Sequence, residues 1–188
     1  MNECKALPLD NSTILHYLLA EEDRMEAILT EAQLSKLNDD DLTILRAEVE
    51  AELAARGISF SVGELGEKLC ISHFNSTPGL PNLLRAPPGA KNVDALSRDG
   101  DRYSIKTFMK AKKTGTVYPD DKDPDKQLFE YLAIVRISNS YKLDAIYRFS
   151  WKEFVHVRAW DKRMNAWYVP LSQKNLNLAE IIFQRKAS

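Results

Sequence analysis

Five polar side chains in the middle of the chain are of the types that bind a divalent cation and activate a water molecule. Asp94 lies in one predicted strand, and Ser104 and Lys106 lie in the next, where two-residue spacing points both to the same face of a sheet. Glu64 and Glu67 lie upstream in a predicted helix. If that helix folds over the same face, Glu67, Asp94 and Lys106 meet around one cation.

This set of groups indicates a particular chemistry. Carboxylates suit Mg²⁺, which usually binds through one or two of them together with oxygens of a substrate phosphate. The ion polarises the phosphoryl group and activates a water molecule, while a nearby ammonium orients the nucleophile or neutralises developing charge. Such an apparatus hydrolyses a phosphodiester.

Each residue also has an ordinary structural explanation. An exposed glutamate on a helix needs no special reason, and an aspartate before a turn is often a cap or a turn former. Asp94, however, lies between apolar neighbours, where an unpaired acid is costly to bury. Lys106 is similarly out of place in a strand unless it faces a polar site.

Local signals predict the elements that position these residues. Ser61 is a helix cap before residues 62–74, and Gly100 sits in a turn that joins strand-like runs at 92–97 and 102–108. Residues 128–137 and 143–149 are typical of further strands, and a helix is expected over 151–158. Together they predict an α/β domain over residues 58–188, with a central mixed sheet flanked by helices.

Residues 1–57 form a predicted N-terminal helical region. The polar run 38–41 is a capping signal, the apolar residues that follow recur at three- and four-residue spacing, and Gly57 ends the pattern. This region either packs as an amphipathic bundle on the rest of the fold or forms a contact for a second copy, a partner or DNA.

The charge is uneven along the chain. Residues 1–57 hold 13 acidic and 5 basic side chains, whereas residues 82–113 hold eight basic and three acidic ones. This asymmetry favours either a polyanion-binding module or two solvated faces. The nucleic-acid contacts that we predict are Lys110, Lys112, Lys113, Thr114 and, in a later stretch of bases interleaved with tryptophans, Arg163.

Composition excludes several classes of protein. The chain has 188 residues, two distant cysteines and three histidines, which argues against a zinc finger or a disulfide scaffold. The longest apolar stretch near the N-terminus, residues 14–20, is short and broken by His16, so we expect neither a signal peptide nor a membrane span. The sequence therefore predicts a cytoplasmic protein that does not associate with membranes.

The order of these motifs resembles the PD-(D/E)xK restriction-endonuclease-like nucleases. The matching segments are GELGE at 63–67, NVD at 92–94 and YSIKT at 103–107. By this resemblance, Glu67 is the helix acid with Glu64 as a second candidate, Asp94 is the strand acid and Lys106 is the lysine. Ser104 stands where the family normally has an aspartate or glutamate.

The resemblance implies a restriction-endonuclease-like core and a Mg²⁺-dependent DNA endonuclease of the type II kind, with Mn²⁺ as a possible substitute. Its metal ligands would be Glu67, Asp94 and Glu64. One such site cuts one strand, so double-strand cleavage implies a homodimer. The missing acid at Ser104 motivates one alternative, a catalytically inactive module that binds DNA or a protein. The other alternative is an interaction protein that acts through the helices of residues 10–56.

Overall fold

The N-terminal part of the described chain is helical. The computed structural model describes residues 31–57 and 61–186, and the chain divides into two compact units, Met1–Ile58 and Ser59–Ser188. The first unit contains helices α1 (Glu31–Leu34) and α2 (Asp39–Ala55). The predicted cap is confirmed, because Asn38 Oδ1 accepts a hydrogen bond from the Asp41 N–H at 2.8 Å. The predicted helical residues 10–30 lie outside the described residues.

The second unit begins with helix α3 (Val62–Ser76). Its predicted cap is also confirmed, since Ser61 Oγ accepts from the Glu64 N–H at 3.0 Å. The fully buried residues of α3 are Gly66, Cys70 and Phe74, and Leu65 and Leu69 are partly buried and pack against the same core.

A mixed six-stranded sheet forms the centre of this unit, which makes it an α/β fold as the sequence predicts. Its strands, in spatial order, are β1 (Leu83–Arg85), β2 (Ala95–Ser97), β3 (Arg102–Phe108), β4 (Tyr131–Ile137), β5 (Leu143–Ser150) and β8 (Glu180–Gln184). Only β3 and β4 run parallel; the other neighbours are antiparallel. The predicted hairpin is confirmed as β2–β3, and Gly100 adopts a φ of +94° in its turn.

The two faces of the sheet are covered by different elements. Helix α3 packs through Cys70 and Phe74 onto the face that includes Ile105. Helix α4 (Trp151–Val157) packs onto the opposite face, which includes Phe108. Because side chains alternate along a strand, Ser104 and Lys106 lie on the α4 face of β3 and not on the α3 face.

A smaller antiparallel structure lies beside the main sheet. Strands β6 (Ala159–Asp161) and β7 (Ala166–Tyr168) form a hairpin, and residues 112–118 join β7 as a third, irregular strand. We call residues 112–118, β6 and β7 the ribbon. Trp167 packs against the core and Trp160, its neighbour at 4.5 Å between ring centroids, is 37% exposed.

Helix α5 (Gln173–Leu176) completes the described elements before β8. In the part of the chain covered by the structure, no helix has the length and apolar character needed to cross a membrane.

Candidate active site

Asp94 lies immediately before β2, where β2 and β3 separate. Its carboxylate Oδ2 accepts hydrogen bonds from the Ile105 main-chain N–H at 2.6 Å and from Ser104 Oγ at 3.3 Å. The carboxylate thus supplies an acceptor to a β3 amide at the point where the two strands no longer pair. This contact fixes one oxygen of Asp94 firmly against the edge of β3.

Lys106 reaches the same oxygen from the α4 face of β3. Its Nζ lies 3.7 Å from Asp94 Oδ2, and the two side chains are 20% and 23% exposed. Ser104 is fully buried beside them. The predicted sharing of one face by Ser104 and Lys106 is therefore confirmed, because both side chains contact Asp94.

Glu67 approaches this pair from α3. The expectation that its helix folds over the face of Ser104 and Lys106 is wrong, because the buried stripe of α3 packs on the other face of the sheet. The carboxyl group nevertheless lies within electrostatic reach of the pair. Burial and the charge of Asp94 raise the pKa of Glu67, while Arg85 and Lys106 act in the opposite direction.

A glycine contact brings Glu67 to this position. A Cβ added at Gly66 would lie 2.7 Å from Thr107 Cβ and closer still to Thr107 Oγ1 and Cγ2. The helix backbone therefore approaches β3 more closely than any residue with a side chain would permit. This close contact fixes the part of α3 that carries Glu67 against β3.

Glu64 is placed differently. Its Oε2 is buried and has no hydrogen-bond partner among the residues described. No hydrogen bond or ion pair joins it to Glu67, Asp94 or Lys106 within residues 61–186. Of the predicted acids, Asp94 contacts Lys106, Glu67 is coupled to both only through charge, and Glu64 makes no polar contact with either among the described residues.

Asp94 and Glu67 each have one carboxylate oxygen without a hydrogen-bond donor among the described residues. These oxygens are Asp94 Oδ1 and Glu67 Oε1, and the two negative charges repel each other. Within residues 31–57 and 61–186, no cluster of three or more histidine, cysteine or acidic side chains could hold a metal ion. With only two carboxylates available among these residues, a Mg²⁺ ion bound by Glu67 and Asp94 would take its remaining ligands from water and a phosphate.

The predicted nucleic-acid contacts differ in how available they are. Lys110 and Lys112 are exposed and form no ion pair with the described residues, and Arg163 is also exposed. Lys113 is engaged, because its Nζ lies 2.8 Å from Asp161 Oδ2 and lowers the pKa of that carboxyl. Thr114 is buried, and its hydroxyl is used inside the ribbon. Lys110, Lys112 and Arg163 are therefore the predicted contacts left open to a ligand.

Arg85 was not predicted as part of this site. Its Nη2 lies 3.2 Å from Glu67 Oε2, with its side chain largely exposed. Strand β1, which carries it, spans three residues between prolines, and such a short run gives no periodic signal in the sequence. Its position depends on antiparallel pairing with β2, a contact that no local pattern reports.

A scan against protein-family models and a search of curated proteins both found no significant match to the chain. The proposed function therefore rests on Asp94, Ser104 and Lys106 at β3 and on Glu67 of α3.

Proposed function

We propose that this protein is a metal-dependent endonuclease that hydrolyses phosphodiester bonds in DNA and has a PD-(D/E)xK restriction-endonuclease-like core. The observation that carries the proposal is the contact between Asp94 and Lys106, together with a third group, Glu67 of α3, whose pKa responds to the charges of both. Two partly buried carboxylates beside an ammonium group are costly to assemble, and a cation-assisted reaction explains why they would be placed together.

Each residue has a role that its contacts support. Asp94 and Glu67 would hold Mg²⁺ or Mn²⁺, which when bound supplies a Lewis acid and an activated water molecule. Lys106, held beside Asp94, would orient the water and offset negative charge that develops on the phosphate. Ser104 donates a hydrogen bond to Asp94 and so positions that carboxylate.

The substrate side of the proposal depends on exposed charge. Lys110 and Lys112 follow β3 directly and would contact the phosphate backbone, which favours DNA as the partner. One site cuts one strand, so double-strand cleavage would need a homodimer of type II restriction-enzyme kind. The cytoplasmic location stays a prediction from the sequence.

A second candidate function is a catalytically inactive module that binds DNA or a partner protein. It is favoured by the buried hydroxyl of Ser104, which occupies the place where the resemblance leads us to expect an acid. It is also favoured by Arg85, which already supplies a positive charge to Glu67.

Plasmid cleavage separates the two candidates. We expect purified protein to convert supercoiled plasmid DNA to nicked or linear forms with Mg²⁺ or Mn²⁺, because both ions accept carboxylate ligands, and to leave it intact with EDTA. Linear product that appears without a nicked intermediate would indicate a dimer. Intact plasmid with every divalent ion, combined with salt-sensitive DNA binding, would reject the nuclease and support the inactive module.

A further inference from the structure

The irregular strand of the ribbon contains a bulge. Lys113 pairs with Pro170 and Val117 pairs with Trp167. The paired residues of the segment, Lys113 and Val117, are four positions apart, whereas their partners are three positions apart. One residue more on one side is the definition of a β-bulge, a feature found often beside active sites. The extra length falls at Gly115 and Thr116.

Thr114 holds the bulge in place. Its hydroxyl accepts from the Val169 N–H at 3.0 Å, where a regular ladder would use a main-chain carbonyl. The same hydroxyl donates to the Gly115 carbonyl at 2.8 Å, and the Thr114 N–H donates to the Val169 carbonyl at 3.0 Å. The Thr114 side chain therefore replaces a main-chain carbonyl as the acceptor of the Val169 N–H, and the main chain of residues 115–116 can curve away from β7.

The bulge has two consecutive main-chain donors without an acceptor. The N–H groups of Thr114 and Val117 both donate across the ribbon. Between them, the N–H groups of Gly115 and Thr116, and also the Thr116 hydroxyl, make no hydrogen bond to any residue within 31–57 or 61–186. Polar main-chain groups are paired with protein, solvent or ligand, so these donors are open to an external acceptor.

This bulge borders the candidate active site. An ideal Cβ at Gly115 would lie 3.8 Å from Lys106 Cδ, so the bulge passes directly beside the lysine stem. The loop that leads to Asp94 holds the same segment, because Asn92 Nδ2 donates to the Tyr118 carbonyl at 2.9 Å. The open donors and the ammonium group of Lys106 are therefore close neighbours.

We infer that Gly115 and Thr116 form a phosphate-binding subsite, in which their two amides and the Thr116 hydroxyl bind the oxygens of a phosphodiester group beside Lys106. Main-chain amides are common phosphate contacts in complexes with DNA. The identification of the ligand as DNA rests on the proposed function. The presence, among the described residues, of unpaired N–H donors at Gly115 and Thr116 does not depend on it.

An NMR titration tests the subsite without requiring cleavage. Full-length ¹⁵N-labelled protein in EDTA is titrated with a short DNA duplex, and the amide signals are followed. We expect the Gly115 and Thr116 amides to move downfield together as they gain a charged acceptor, whereas the Thr114 and Val117 amides, already bonded within the ribbon, move little. Duplex binding that leaves the Gly115 and Thr116 signals in place would overturn the inference.

A pair of substitutions gives an independent test. Thr116→Val removes the hydroxyl with little change in shape, and we expect duplex affinity to fall about tenfold, as for loss of a hydrogen bond to a charged group. Thr77→Val, at the C-terminal end of α3 in the same unit, removes a hydroxyl that donates to the helix carbonyl of His73, and it should leave affinity unchanged. Wild-type affinity in Thr116→Val, with normal thermal unfolding, would count against the subsite.

The outcomes also separate the subsite from the proposed function. Amide shifts in a protein that never cleaves DNA would support the subsite and reject the nuclease. Cleavage with Mg²⁺ in a protein whose Gly115 and Thr116 amides do not respond to DNA would support the nuclease and reject the subsite.

Discussion

If the protein is the proposed nuclease, we expect Lys106→Ala to lower its Mg²⁺-dependent DNA cleavage by about a hundred- to a thousand-fold, the range for loss of one preorganised group that stabilises developing charge. The ammonium lies 3.7 Å from Asp94 Oδ2. Asp94 keeps its hydrogen bonds from the Ile105 N–H and Ser104 Oγ without the lysine. The substitution therefore removes the charge and leaves the carboxylate in position.

Single-turnover nicking of supercoiled plasmid measures this effect. Lys174→Ala, which removes an exposed lysine from α5, is the matched control and should cleave at the wild-type rate. If Lys106→Ala cleaves as fast as Lys174→Ala, the lysine takes no part in the reaction.

Gly66→Ala destabilises the protein by about 2–3 kcal/mol, near the upper end of the cost of overpacking a core. The new methyl group would lie 2.7 Å from Thr107 Cβ. Rotation of the threonine side chain does not move its Cβ, so the helix or the strand must shift. The shift outweighs the roughly 1 kcal/mol by which alanine is preferred to glycine inside a helix.

Gly63→Ala is a control from the same helix, one turn earlier. A Cβ at Gly63 meets only Ser61 Oγ, at 3.8 Å, so this variant should be as stable as the wild type or slightly more stable. We expect Gly66→Ala to lower the midpoint of thermal unfolding by about 5–10 °C relative to Gly63→Ala. Equal midpoints would show that α3 does not depend on this close approach to β3.

Elements with local signals were predictable from the sequence. Ser61 caps α3, Asn38 caps α2, and Gly100 accepts the positive φ of the β2–β3 turn, as expected. Each of these features is decided by a few neighbouring residues. For the same reason the motif at residues 94–106 correctly placed Ser104 and Lys106 on one face.

Features that depend on distant pairing were not predictable. Strands β1 and β8 are short, and their pairing partners lie outside the neighbouring residues. Strands β6 and β7 form a local hairpin but have only three residues each, too few for a periodic signal. The face of the sheet that α3 covers was not predictable, because it depends on the packing of Cys70 and Phe74 against Ile105, a contact between distant segments. The pairing of Arg85 with Glu67 and the bulge at Gly115 follow from these long-range contacts.

In the proposed active site, Glu67 and Asp94 share a cation. Because the pKa of Glu67 is raised, its charged form opposes folding. Without metal at neutral pH, Glu67→Gln should therefore unfold at a higher temperature than the wild type. That advantage should shrink as the pH falls through the raised pKa, because the wild-type carboxyl then becomes neutral too.

Thermal unfolding of the wild type and Glu67→Gln, with and without Mg²⁺ at neutral pH, tests this claim most directly. An ion that binds the native state stabilises it, so Mg²⁺ should raise the midpoint of the wild type and reverse the order of the two proteins. A midpoint of the wild type that does not respond to Mg²⁺, or an equal rise in both proteins, would contradict a metal site at Glu67 and Asp94.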